Sequence, residues 1–359
     1  MTDPTRDLDP SRASNFHFLR LALAVLVILA HSPILVDGDG HREPLTWAFG
    51  IGLNLGDLAV DGFFLISGYL IAMSWLKDPS AVRFLIKRAL RIGPGFAAAV
   101  LISVAVVGPM GDPGWWSRFR PGQFFARIAY LSMNGVPESF PGSFYPTVNA
   151  PTWTIRFEVA CYLIAAGLGV AGLLRRRWVV LAIAAGFLVV FTVASERPFP
   201  RLVSFYLAGT CFYLFRDKVR YTARGAAMAA LVLVPCMAVP AASKALLPIL
   251  GGYLLFAVAF APSRPLRSFG RLPDVSYGVY LYAWPIAKLV LWRWPAMGIG
   301  AVDVATALLA IAAGLASWYA VERPFLRLKG IAAPRPIPSG RPMGPPMGSR
   351  GLGRQAAAR

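Results

Sequence analysis

Residues 16–33 read FHFLRLALAVLVILAHSP, an apolar run with an arginine near its start and a histidine near its end. Such a stretch is long enough to cross a bilayer as a helix, with Ser32-Pro33 closing it. Eleven steps separate Arg20 from His31. At about 100° per residue they turn the helix through roughly 1100°, three turns plus about 20°, so both side chains share one face about 16 Å apart. An ionisable group inside an apolar span costs several kcal/mol unless it is paired or wetted, which makes His31 a candidate functional residue. Arg20 reads either as its counterpart on that face or as an anchor at the inner boundary.

The rest of the chain extends this pattern. Of 359 residues, 57% are hydrophobic and 15% charged, and the mean hydropathy is +0.57. These values describe an all-α, polytopic membrane bundle rather than a soluble domain. The apolar stretches divide into about ten spans of about 20 residues each. After the first they are expected near 57–75, 88–107, 151–174, 178–194, 199–215, 225–240, 244–262, 276–294 and 300–321. Residues 1–15 read as a cytoplasmic N-terminal tail, 16–329 as the membrane domain, and the Pro/Gly/Arg-rich 330–359 as a disordered cytoplasmic tail. The long connection 108–150 is rich in Gly, Pro and Trp, with a short interfacial helix expected at 123–133.

The net charge of +19 raises nucleic acid as a partner, but the distribution argues against it. Basic residues collect in alternate loops, at 77–91, 175–177, 216–224 and 264–271, while the intervening loops hold only scattered ones such as Arg201 and Lys244. That is the positive-inside pattern, and it puts both termini in the cytoplasm. The three cysteines, Cys161, Cys211 and Cys236, all fall in apolar stretches, with neither a disulfide framework nor a metal spacing.

Four further stretches carry candidate chemistry. Lys87, Arg88 and Arg91 open the third span, with Arg88 and Arg91 sharing a face, a pair suited to phosphate groups or to a lipid headgroup. In GDLAVDGFFLISGYLIA, Asp57 and Asp61 lie one turn apart at the outer end of the second span. Either brings a carboxylate within reach of His31, where it would raise the basicity of the imidazole. Ser67 and Tyr69 add hydroxyls there, and Gly68 permits close helix packing. In NAPTWTIRFEVACYL, Glu158 is buried in a span with Tyr162 one turn on, which implies a polar cavity. SYGVYLYAWPIAK, with Tyr280, and the closing SWYAVERPF are weaker signals, readable as an aromatic belt and a charged helix end.

Together these stretches resemble the bacterial integral-membrane acyltransferase family three, the O-acylases of O-antigens, exopolysaccharides and antibiotics. The likeness rests on Arg20 and His31 at their spacing, VDGFFLISGYL at 60–70, FLIKRALRIGP at 84–94, Trp153 and Glu158, SYGVYLYAWP at 276–285 and YAVERPF at 319–325, and it covers about residues 15–328. Many members carry a histidine where this chain has Ala283, and no esterase-like domain is appended. The resemblance implies a multi-pass protein of the bacterial inner membrane. It implies an acyl-CoA donor, commonly acetyl-CoA, reaching the site from the cytosol, and a glycan or lipid-linked glycan acceptor at the outer face. Arg20, Arg88 and Arg91 would bind the coenzyme phosphates. His31 would be general base or acyl carrier, Asp61 or Glu158 would orient it, and Tyr69 or Tyr280 would steady the oxyanion. No metal is expected. A flippase of lipid-linked sugar, or a glycan polymerase, remains open on the residues alone.

Overall fold

The computed structural model of the chain describes residues 15–50, 54–133, 137–194 and 197–328. The expected tails at 1–15 and 330–359 lie outside these apart from Asn15. Among the described residues the structure is helical, with no strand. A helix lies at each of the ten stretches expected to span: α1 Phe16–Asp37, α2 Leu55–Lys77, α3 Ala81–Gly111, α4 Ala150–Val170, α5 Arg177–Val189, α6 Pro198–Leu214, α7 Ala223–Cys236, α8 Pro240–Ala259, α9 Ser276–Arg293 and α10 Ile299–Arg327. Six of them (α1, α2, α3, α4, α8 and α10) have the length and apolar character of a bilayer crossing, and α5 and α7 are shorter apolar helices.

Several boundaries differ from expectation for local reasons. Pro33 does not end α1, which runs on to a left-handed Gly38 with φ 82°. Its missing N–H and ring are accommodated inside a long membrane helix. α3 starts at Ala81, after Asp78-Pro79-Ser80, so Arg88 and Arg91 sit two to three turns inside the helix rather than at its opening. The interfacial helix of the long connection spans Pro121–Ala129, shorter than expected.

The centre of the bundle is α1, α2, α6 and α9. α2 and α6 share the most extensive interface, and their sequences explain why they approach so closely. A Cβ on Gly68 would lie 1.9 Å from the Tyr206 carbonyl oxygen, and one on Gly209 would lie 2.0 Å from that of Leu65. Backbone meets backbone at both points, the small-residue packing that replaces hydrophobic attraction inside a membrane. Asn15 anchors the start of α1, donating from Nδ2 to the Val258 and Ala261 carbonyls at 2.7 and 3.1 Å. Outward faces stay apolar, as at Leu231, Val304 and Leu308, each more than half exposed. That is the surface of a helix bundle solvated by lipid.

Candidate active site

At the end of the bundle where α1 and α9 begin, four charged side chains form a buried floor. Arg20 of α1 donates to Asp274 at 2.7 Å, and Arg91 of α3 donates to the same carboxylate at 2.8 Å and to Glu322 at 3.2 Å. Ser276 adds a hydroxyl donor to Asp274 at 2.5 Å. Burial works against the Asp274 charge, but Arg20 and Arg91 outweigh it and hold the carboxyl well below the usual carboxylate range. The residue lies in the short loop leading into α9, and nothing in its immediate sequence marks it as a partner of two distant arginines.

Above this floor is a cavity of about 110 Å³. Its wall takes Arg20, Arg88 and Arg91 at one end, Ser67 and Glu158 along the side, and Tyr280 at the far end. Glu158 accepts from the Tyr162 hydroxyl at 2.5 Å, and Tyr162 also lines the space. Tyr280 closes the end opposite the floor. It donates to the Pro151 carbonyl at 2.7 Å, and its oxygen is 2.6 Å from the Thr154 hydroxyl. The polar cavity that Glu158 implied is therefore present, and six of the residues singled out by sequence meet around it.

The arginines are not equivalent. Lys87, read as flanking the pair, donates instead to Asp78 at 2.7 Å, a carboxylate that also accepts from Arg83. Arg91 is neutralised by two acids. Arg88 makes one 3.3 Å hydrogen bond to the Ser74 hydroxyl and lies over the Phe84 and Tyr162 rings at 5.6 and 5.9 Å. Its buried Nε has no partner. Arg88 thus has the hydrogen-bonding capacity left for a ligand that Arg91 has already spent.

His31 does not line this cavity. Its ring packs edge-on against Trp284, centroids 5.0 Å apart, and Trp284 lies one turn of α9, about 6 Å, beyond Tyr280. Trp284 in turn donates from Nε1 to the Thr147 carbonyl at 2.8 Å. On the α2 side, Gly56 meets Ala30, a Cβ there falling 3.1 Å from the Ala30 methyl. That approach brings the first turn of α2, which carries Asp57, alongside the end of α1 that carries His31.

The pairing of His31 with Asp61 or Glu158 is accordingly not the arrangement found. Asp61, one turn deeper, accepts from Arg201 Nε at 3.0 Å, and the same guanidinium holds Asp57 at 2.7 Å. Arg201 had no claim from sequence beyond being a scattered outer-loop arginine. Tyr69 is also removed from the cavity. It packs in an aromatic cluster with Phe16, Tyr213 and Phe256, ring centroids 5.0–5.7 Å away. Trp153 packs on Phe157 rather than facing the chamber. Both were named for neighbouring chemistry, and helix rotation turns both away from it. Lys288, absent from the sequence candidates, is buried in α9 and donates to the Ser143 hydroxyl and the Tyr145 carbonyl, each at 2.6 Å. It straps the long connection between α3 and α4 down over Trp284.

The structure is thus a helical membrane bundle with an arginine-floored chamber and an imidazole beyond its far end. The chain belongs to the acyltransferase family three, whose acyltransferase domain matches residues 14–323. It is 26% identical over 342 residues to an O-acetyl transferase of Shigella phage Sf6, covering 88% of this chain and 96% of that protein. It is also 26% identical over 372 residues to Nodulation protein 10 of Rhizobium leguminosarum bv. viciae, covering 91% and 96%. No solved structure matches. Family membership sets acyl transfer ahead of the flippase and polymerase readings.

Proposed function

We propose that the protein is a membrane O-acyltransferase that moves an acyl group, most simply acetyl, from cytosolic acyl-CoA to a hydroxyl of an exported or lipid-linked glycan. In this reading the chain crosses a bacterial inner membrane ten times with both termini in the cytoplasm, which would put the arginine floor inside and His31 toward the outer half. The observation that carries the reading is the chamber between them, with an underused guanidinium at one end and an imidazole one helical turn beyond the other. A volume of about 110 Å³ suits the thioester end of the donor and not its nucleotide. The phosphates would stay at the inner mouth, where Arg88 offers charge-assisted hydrogen bonds.

In the simplest course His31 takes the proton of the acceptor hydroxyl as its oxygen attacks the thioester carbonyl. The C–O bond forms, the C–S bond breaks, and the coenzyme leaves as a thiolate that is reprotonated. Asp57, held by Arg201, supports the positive imidazole. In the alternative course the acyl group rests on the imidazole between two transfers. The Phage Sf6 relative, an O-acetyl transferase by name, supports acetyl as the group and oxygen as its acceptor.

The test is thiol release and product labelling with radiolabelled acetyl-CoA, using purified protein and the glycan fraction of the host envelope. Wild type should transfer label, and His31→Ala, shown to be inserted and to bind acetyl-CoA, should not. Undiminished transfer by that variant would end the proposal.

A further inference from the structure

A second cavity, of about 210 Å³, lies at the end of the bundle opposite the arginine floor. It is several times the ~30 Å³ share of one liquid water, so it has room for more than an isolated solvent molecule. Asp57 and Asp61 from the start of α2, Arg201 from the start of α6 and Lys244 from the start of α8 reach its wall, together with Phe191 and Phe205. It shares no lining residue with the arginine-floored chamber. Asp57 is part of its wall, and the preceding residue, Gly56, packs on Ala30 next to His31 in the chain.

Three features of this wall select a ligand class. The formal charges of its four ionic side chains cancel, two carboxylates against a guanidinium and an ammonium, so neither an anion nor a cation gains net attraction. The carboxylates are fixed in place: Arg201 bridges both, and Asn54 donates to the second oxygen of Asp57 at 2.7 Å. Asp57 is nonetheless 35% exposed, so it can accept further hydrogen bonds through its remaining lone pairs. Ser243 adds a hydroxyl, and the phenyl rings supply apolar wall against which C–H faces can pack. A neutral ligand rich in hydroxyls, with one apolar face, satisfies all of these.

We propose that this cavity binds a sugar ring of the acceptor, with Asp57 acting as a positioning residue that holds one hydroxyl and aligns its neighbour toward His31. The role as acceptor site rests on the acyltransfer reading above, whereas sugar binding does not depend on it. The arrangement gives the two substrates separate chambers at opposite ends of the bundle, with His31 and Trp284 between them.

The test uses the full chain in lipid nanodiscs, which carry no sugar detergent. Ala238, exposed at the cavity wall, is replaced as Ala238→Cys with Cys236→Ser to remove the nearby native thiol. The labelling rate by a water-soluble maleimide is measured with and without methyl glycosides of glucose, galactose, mannose and rhamnose. At least one glycoside is expected to slow labelling by the factor 1 + [L]/Kd, about twofold when its concentration equals Kd. Acetyl-CoA should give no protection, and Ser243→Phe, which fills the cavity, should abolish protection by the glycoside. Failure of every glycoside to protect overturns the proposal, as does equal protection by acetyl-CoA or by inorganic phosphate. Glycoside protection in a protein that shows no His31-dependent thiol release would uphold the sugar site and sink the acyltransfer reading instead.

Discussion

Arg88 and Arg91 occupy equivalent places in the sequence, and the structure makes opposite predictions for them. In Arg91→Ala the Glu322 carboxylate, whose side chain is 1% exposed, loses the guanidinium 3.2 Å away, while Asp274 keeps Arg20. Removing one partner of a buried ion pair costs about 3–5 kcal/mol, because the other charge is left uncompensated. In Arg88→Ala the protein loses one 3.3 Å hydrogen bond and two distant ring contacts. It also sheds a buried nitrogen that had no partner. Ring contacts of this kind are worth about 0.5–1 kcal/mol, so the net change in stability is expected to stay near 1 kcal/mol.

Donor affinity should divide the other way. A charge-assisted hydrogen bond to a phosphate contributes about 1.5–3 kcal/mol, so Arg88→Ala should weaken acetyl-CoA binding by about 10- to 150-fold. Thermal unfolding of the solubilised protein and equilibrium binding of radiolabelled acetyl-CoA measure the two quantities on the same samples. An Arg91→Ala protein as stable as wild type would refute the account of the floor. An Arg88→Ala protein that binds acetyl-CoA normally would refute the assignment of the phosphate contact.

Other expectations follow from single contacts. Gly68→Val should abolish accumulation of folded protein, since its first carbon would already lie 1.9 Å from a carbonyl oxygen; fluorescence-detected size exclusion would show it, and a normal monodisperse peak would contradict the packing argument. Lys288→Met should release the long connection between α3 and α4 from α9, with faster proteolysis within 139–148 and little change in acetyl-CoA binding. Asp57→Asn should lower transfer more than Asp61→Asn relative to the loss of folded protein in each, because Asp57 lies in the turn of α2 packed against the His31 end of α1 and is the more exposed of the two carboxylates; equal specific activities would assign both residues to the scaffold. Asp274 has a depressed folded-state pKa, so its contribution is fully present above the unfolded value of about 3.9 and is lost as pH falls through the folded value. Wild-type stability should therefore show an acid-side fall below about pH 4 that is reduced in Asp274→Asn, as read by melting temperature against pH.

That this chain forms apolar helices, about where they run, and which family it belongs to can all be read from residue order. Hydropathy and length require only local information, and in a bilayer every backbone group must be satisfied within its own helix. The same local logic brought forward Arg20, Arg88, Arg91, Ser67, Glu158 and Tyr280, because an ionisable or hydroxyl-bearing side chain in an apolar run is conspicuous. How those groups pair is a matter of three-dimensional packing. Arg20 and Arg91 meet Asp274 across more than 180 positions of chain, and Arg201 takes up Asp61 across 140. Which turn of α2 packs against the His31 end of α1 depends on the rotation and register of the two helices, set where Gly56 meets Ala30. One turn of a helix preserves its hydrophobic pattern but exchanges its polar neighbours. Periodicity can therefore name the charged residues of such a site, while only the packing of the backbones can say which of them are already spent on one another.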